Sequence, residues 1–108
     1  MNKYRNKKVQ VDMYVFDSIA ESRRYKELAI LLKANKIKNL QLQPRFLLQE
    51  SFRKNGKTHR KIEYIADFMY EENGKTIVED VKGKKTEVYK LKKKLFEYRY
   101  RDLEIKEI

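Results

Sequence analysis

Cysteine and tryptophan are absent from this chain, which carries one histidine, one proline and three glycines. Without cysteine there can be no disulfide and no thiolate metal site. His59 alone cannot make a zinc centre, and beside the Asn55-Gly56 turn signal it reads as a solvated loop residue with no catalytic role. The scattered glycines form no phosphate-cradling loop, and no serine sits in a Gly-x-Ser-x-Gly elbow. P-loop nucleotide binding and nucleophilic serine chemistry are therefore not expected. No apolar run approaches the roughly 18 residues of a membrane span, and no signal-peptide core follows Met1. The expectation is a soluble, cytoplasmic protein.

Acidic residues are also in short supply: 16 Asp and Glu stand against 27 Lys and Arg, a formal net charge of +11. Such a balance favours a polyanionic partner, nucleic acid ahead of a membrane surface. At 108 residues the chain suits one domain over positions 1–108, with the basic stretch 1–8 expected to be mobile. Its charged fraction of 40% exceeds the usual value of about 25%, yet clear apolar periodicity argues against disorder.

Val9, Val11, Met13 and Val15 alternate like a short strand or hairpin. Ser18 to about Lys33 reads as a helix, opened by the capping-box spacing of Ser18 and Glu21 and stopped near Asn35. Leu40, Leu42 and Phe46 to Phe52 suggest an extended strand that Pro44 bends or places at an edge. Arg60–Glu71 and Thr76–Lys82 follow as strands, each preceded by an Asn-Gly turn signal. Thr86 to about Tyr98 predicts a second helix, with Val88, Leu91, Leu95 and Tyr98 as its apolar stripe. Leu103, Ile105 and Ile108 close the chain as a strand. The fold class is α/β: helix, three-stranded antiparallel meander, helix and strand, with a single mixed sheet flanked by the helices.

One hairpin carries the chemistry. A two-residue turn at Asn73-Gly74 pairs Glu72 with Lys75 and, further along, sets Asp67 opposite Asp80. Like charges directly opposite one another are destabilising, so an acid pair amid Ile65, Phe68, Met69, Val78 and Val81 suggests a cation holder. Lys82 shares the face of Asp80, because strand side chains alternate. Glu21 belongs either to the capping box or to the site: on the helix it continues the stripe of Tyr25, Leu28 and Leu32 toward the sheet. Glu79 should pair with Phe68 and is the reserve ligand, since a one-residue slip would exchange it with Asp80.

An oxygen-only set of Glu21, Asp67 and Asp80 suits Mg²⁺ or Mn²⁺. Lys82 would stabilise charge on a phosphate or help position the attacking water. Arg23, Arg24, Lys84, Lys85, Lys90, Lys93 and Lys94, together with Lys3, Arg5, Lys7 and Lys8, are candidates for contacting the DNA backbone, although surface lysines are more often simply solvated.

Asp67, then Asp80-Val81-Lys82, with Glu21 on a preceding helix, resembles the PD-(D/E)XK nuclease superfamily, with Ala66-Asp67 in place of the nominal Pro-Asp. Phe16-Asp17-Ser18 through Glu21, Arg24-Tyr25, Gln43-Pro44, Ala66-Asp67-Phe68, Glu79-Asp80-Val81-Lys82-Gly83, Thr86 and Lys92-x-Lys94-Leu95-Phe96 extend the likeness over nearly the whole chain. Together they resemble a family of small phage and prophage proteins grouped with phage-type Holliday junction resolvases and related endonucleases. The resemblance implies that Glu21, Asp67 and Asp80 bind divalent metal and that Lys82 assists hydrolysis. The expected protein is a Mg²⁺- or Mn²⁺-dependent endonuclease acting on branched DNA, as a homodimer because two strands must be cut symmetrically. The alternatives are a non-catalytic basic DNA-binding or assembly protein, a nuclease subunit of a larger recombination complex with another DNA substrate, and an RNA-binding protein.

Overall fold

The computed structural model describes residues 8–108; Lys3, Arg5 and Lys7 lie outside them. Its elements are β1 (Val9–Val11), β2 (Tyr14–Phe16), α1 (Ile19–Lys33), β3 (Lys38–Leu42), β4 (Arg45–Gln49), β5 (Phe52–Lys54), β6 (Lys57–His59), β7 (Ile62–Ile65), β8 (Phe68–Glu72), β9 (Lys75–Asp80), α2 (Glu87–Arg99) and β10 (Ile105–Glu107).

Local chemistry explains most of the boundaries. Ser18 caps α1 by accepting a hydrogen bond from the Glu21 amide at 3.1 Å. At the other end Asn35 adopts φ +59°, and the amides of Asn35 and Lys36 donate to the carbonyls of Leu32 and Leu31. This left-handed termination satisfies the last carbonyls of the helix. Both Asn-Gly pairs have positive φ at both residues, +53° and +73° at Asn55-Gly56 and +52° and +77° at Asn73-Gly74. That is the two-residue hairpin turn whose twist matches the flanking strands. Thr86 caps α2 through the Tyr89 amide at 3.1 Å.

The central sheet has the order β10-β9-β8-β3. β3 and β9 run antiparallel to β8, and β10 is parallel to β9. Strand alternation divides the core into two layers. Phe68 and Tyr70 face Phe16, Tyr25, Leu28 and Ile37 on the α1 side, while Val78 packs with Phe46, Tyr64, Tyr89, Phe96 and Ile105 on the α2 side.

Three expectations are corrected. The two long strands each break in two: Gln43, at φ +52°, and Pro44 separate β3 from β4, and Ala66-Asp67 separates β7 from β8. β4 and β7 pair with each other outside the central sheet, so the meander is one mixed sheet plus separate two-stranded ladders. The two breaks are bonded together, with the Gln43 amide donating to the Asp67 carbonyl at 2.9 Å and the Ala66 amide to the Pro44 carbonyl at 3.1 Å. Finally, the stripe expected to bury α2 is exposed: Val88 is 63%, Leu91 57%, Leu95 37% and Tyr98 71% accessible. Tyr89 and Phe96 are buried instead, because larger aromatic rings fill the space between α2 and the β4/β7 ladder.

Candidate active site

The β8–β9 hairpin keeps the expected register, from Glu72 opposite Lys75 to Phe68 opposite Glu79. Asp67 lies one residue beyond the last pair, and its amide donates to the Glu79 carbonyl at 3.0 Å. Its carboxylate accepts the Val81 amide at 2.6 Å, which ties the break between β7 and β8 to the end of β9. Asp80 is 1% exposed. The Tyr64 hydroxyl donates to one of its oxygens, and the Lys82 ammonium lies 3.2 Å from the other. Lys82 also sits 4.5 Å over the Tyr89 ring, in cation–π geometry.

Glu21 stands at the edge of this group. It lines a pocket of about 250 Å³ with Asp67, Gln43, Tyr14, Phe16 and Phe68. Ser18 Oγ donates to Glu21 Oε1 at 3.3 Å while accepting from the Glu21 amide. Cap and pocket positions thus coincide, since the Ser18 bond leaves the carboxylate at the pocket wall. Leu32, expected in the same stripe, is exposed at 39%.

The electrostatics follow from burial and crowding. Burial, with charge repulsion from Asp80 and Glu21, pushes the Asp67 carboxyl up to about 7 against the lowering effect of the Val81 amide. Glu21 is raised by burial and by the charges of Asp17 and Asp80. Tyr64 is raised by burial and by its bond to Asp80, so it stays a hydrogen-bond donor throughout the physiological range.

These acids repel one another and share one end of the sheet. Among the described residues, no three acidic or imidazole side chains already converge as a metal cage. The donor set is nevertheless chemically suited to Mg²⁺ or Mn²⁺, which bind through one or two carboxylates and complete their shells with water and substrate oxygens. Asp67 and Asp80 would hold such an ion, with Glu21 reaching it from the pocket wall.

Several of the expected site residues are engaged elsewhere in the fold. Glu79, the reserve ligand, is fully buried on the opposite face of the sheet. Arg24 clasps it with two hydrogen bonds, at 2.8 and 2.6 Å, and the Tyr70 hydroxyl donates to the same carboxylate. That fork accounts for Glu79 without a metal, and it takes Arg24 out of the free basic surface. Lys85 and Lys93 converge on Glu107, at 3.0 and 3.5 Å, rather than standing free. With the Tyr89 hydroxyl they lower the Glu107 carboxyl to about 2. Lys90 pairs with Glu87, and Lys8 with Asp17. Arg23, Lys84 and Lys94 are exposed and make no ion pair among the described residues.

Sequence reasoning missed Tyr64 and Gln43. Alternation along an unbroken Arg60–Glu71 strand puts Tyr64 on the face of Phe68 and Glu79, and only the break at Ala66-Asp67 turns its hydroxyl to Asp80. Gln43 entered only through the Gln43-Pro44 likeness and with no role, because its place beside Asp67 depends on the junction between two sheets.

A family model described as "Protein of unknown function (DUF1064)" matches residues 1–108. The chain belongs to that family. No curated protein and no solved structure gives a significant match. Among the described residues, no helix is long and apolar enough to cross a membrane.

Proposed function

We propose that this member of the family is a divalent-metal-dependent DNA endonuclease with a PD-(D/E)XK-like core. The observation that carries the reading is the crowding of Asp67 and Asp80 at one end of the β8–β9 hairpin, with Lys82 on Asp80. Asp80 is fully buried and burial raises the proton affinity of Asp67, and two such neighbouring acids are costly unless a cation or proton offsets them. A bound Mg²⁺ or Mn²⁺ supplies charge stabilisation on the phosphate and an activated water. The chain's own groups do the rest. Tyr64 and the Val81 amide fix the two carboxylates, and Lys82 presents a positive charge where a phosphate oxygen gains negative charge. Glu21 orients water from the pocket wall.

The substrate in this reading is a branched DNA recognised by its shape. Symmetric cutting of such a substrate calls for a homodimer. The exposed stripe of Val88, Leu91, Leu95 and Tyr98 has the alternating three- and four-residue spacing used by paired helices, and we assign the dimer contact to it. Light scattering is expected to give a dimeric mass for the native chain and a monomeric one for Leu91→Asp/Leu95→Asp. A monomer for both, with and without DNA, would overturn the assignment.

The deciding experiment presents labelled four-way junction, linear duplex and single-stranded DNA with Mg²⁺ or Mn²⁺. Paired nicks in the junction are expected, and Lys82→Ala should slow them by about 100-fold or more, the scale of losing one preorganised charge-stabilising group. Junction binding without cleavage under either metal would leave the non-catalytic DNA-binding reading in its place.

A further inference from the structure

Between β4 and β7 the chain leaves the body of the fold as a two-stranded ribbon, β5–β6, that shares no strand with another sheet. Phe52 pairs with His59, Arg53 with Thr58 and Lys54 with Lys57. Every residue of the two strands is exposed except His59, which is half-buried. From Phe52 to Lys61 the segment holds Arg53, Lys54, Lys57, Arg60 and Lys61 and no acid. Lys61 reaches Glu63 at 3.6 Å. Arg53, Lys54, Lys57 and Arg60 make no ion pair among the described residues.

Stability does not account for this arrangement. An isolated two-stranded hairpin is marginal in water, and directly opposed like charges such as Lys54 and Lys57 weaken it further. The ribbon is nonetheless held in shape. Its Asn-Gly turn has the required positive φ values, Arg53 donates to Thr58 Oγ1 at 2.7 Å and to the Gly56 carbonyl at 3.2 Å, and the Phe52 and His59 rings stack at 4.6 Å. The result is an ordered arm with little core of its own and a concentrated positive charge.

We propose that the β5–β6 ribbon is a DNA-binding arm, with Arg53, Lys54, Lys57 and Arg60 contacting the phosphate backbone of a duplex beside the scissile site. This rests on the DNA endonuclease reading and extends it from the acids to the substrate's grip. A two-stranded ribbon fits the major groove of B-DNA. Fully extended, the chain from Asp67 to Gly56 could span at most about 40 Å, comparable to one helical turn of about 34 Å. The arm can therefore hold the duplex while the acids face a phosphate about one turn away or closer. Backbone contacts of this kind position the substrate without reading its sequence.

The test measures binding with cleavage switched off. Fluorescence anisotropy in EDTA follows a labelled 30-base-pair duplex and a four-way junction across a salt series. Three proteins are compared: native, Arg53→Gln/Lys54→Gln/Lys57→Gln/Arg60→Gln, and a control losing the same charge elsewhere, Lys26→Gln/Lys33→Gln/Lys36→Gln/Lys38→Gln. The ribbon variant should bind about 100-fold more weakly at low salt and lose about 3 from the slope of log affinity against log salt, whereas the control should change far less. Melting temperatures matched within a few degrees exclude misfolding as the cause. Equal losses in ribbon and control variants would overturn the arm, because net charge alone would then explain binding. Stronger competition by duplex RNA than by DNA at matched salt would overturn the DNA assignment. Cleavage is scored separately: a ribbon-dependent binder that cuts nothing under Mg²⁺ or Mn²⁺ keeps the arm and refutes the endonuclease reading, while a nuclease whose ribbon variant binds normally does the reverse.

Discussion

Asp67→Asn should make the metal-free protein more stable and the enzyme inactive. The asparagine oxygen can still accept the Val81 amide that Asp67 holds at 2.6 Å, while the charge opposed by burial, Asp80 and Glu21 is removed. In the native protein the Asp67 carboxyl lies at about 7 against an ordinary 3.8. The folded state thus holds this proton more tightly than the unfolded state does. Its stability falls as pH rises from about 4 to about 7 and levels off above that. Calorimetry in EDTA should show that decline in the native protein and a weaker one in the variant. At pH 8 the variant should gain on the order of 2 kcal/mol after discounting for the partial exposure of Asp67, or about 5–10 °C in Tm. Added Mg²⁺ should raise the native Tm and leave that of the variant nearly unchanged. Junction cleavage should fall by about 10³-fold or more, equivalent to about 4 kcal/mol of barrier. A variant less stable than native at pH 8, or one that still cuts, would break the link between this acid and the metal.

The second large effect lies on the other face of the sheet. Arg24→Ala strands the fully buried Glu79 without its cation and should cost about 3–5 kcal/mol. Against a total stability of about 5–15 kcal/mol for an ordinary domain, that lowers Tm by 15 °C or more, or leaves the chain largely unfolded. Arg24→Met/Glu79→Gln removes both charges, keeps an acceptor for the Tyr70 hydroxyl and should be far more stable than Arg24→Ala. Because Arg24 is committed to Glu79, the double variant should bind DNA at close to native affinity. A folded Arg24→Ala protein with native stability and weakened DNA binding would instead restore Arg24 to the DNA-contacting surface.

These two residues show where the sequence was readable. The acid pair could be read from the hairpin because Asn73-Gly74 sets the register locally, through the positive φ that the turn requires. Once Glu72 opposes Lys75, the meeting of Asp67 and Asp80 follows from strand geometry alone. Arg24 and Glu79 lie 55 residues apart, and no local rule joins them. Alternation placed Glu79 on the face away from Asp80, but nothing in the pattern named the cation waiting there. Arg24 consequently looked like one more exposed base, and Glu79 like a spare ligand.

The second helix carries the same lesson. Its extent was legible, yet it has two apolar stripes, one of Val88, Leu91, Leu95 and Tyr98 and another centred on Tyr89 and Phe96. Helical periodicity cannot choose between them. The choice fell to the β4/β7 ladder, whose Phe46 and Tyr64 leave a space that aromatic rings fill, with Phe96 4.9 Å from Phe46 and 5.5 Å from Tyr64.

By itself the sequence determined what depends on a few neighbouring residues: the capped start and left-handed stop of α1, both Asn-Gly hairpins and the facing acids at the end of one of them. Only the tertiary structure decided which helix face is buried, where two long strands break to change sheets at Gln43-Pro44 and Ala66-Asp67, and which charges are spent inside the fold. The difference is physical. Turns and caps are satisfied by hydrogen bonds within a few residues, whereas burial and ion pairing depend on surfaces that meet only when distant segments pack together.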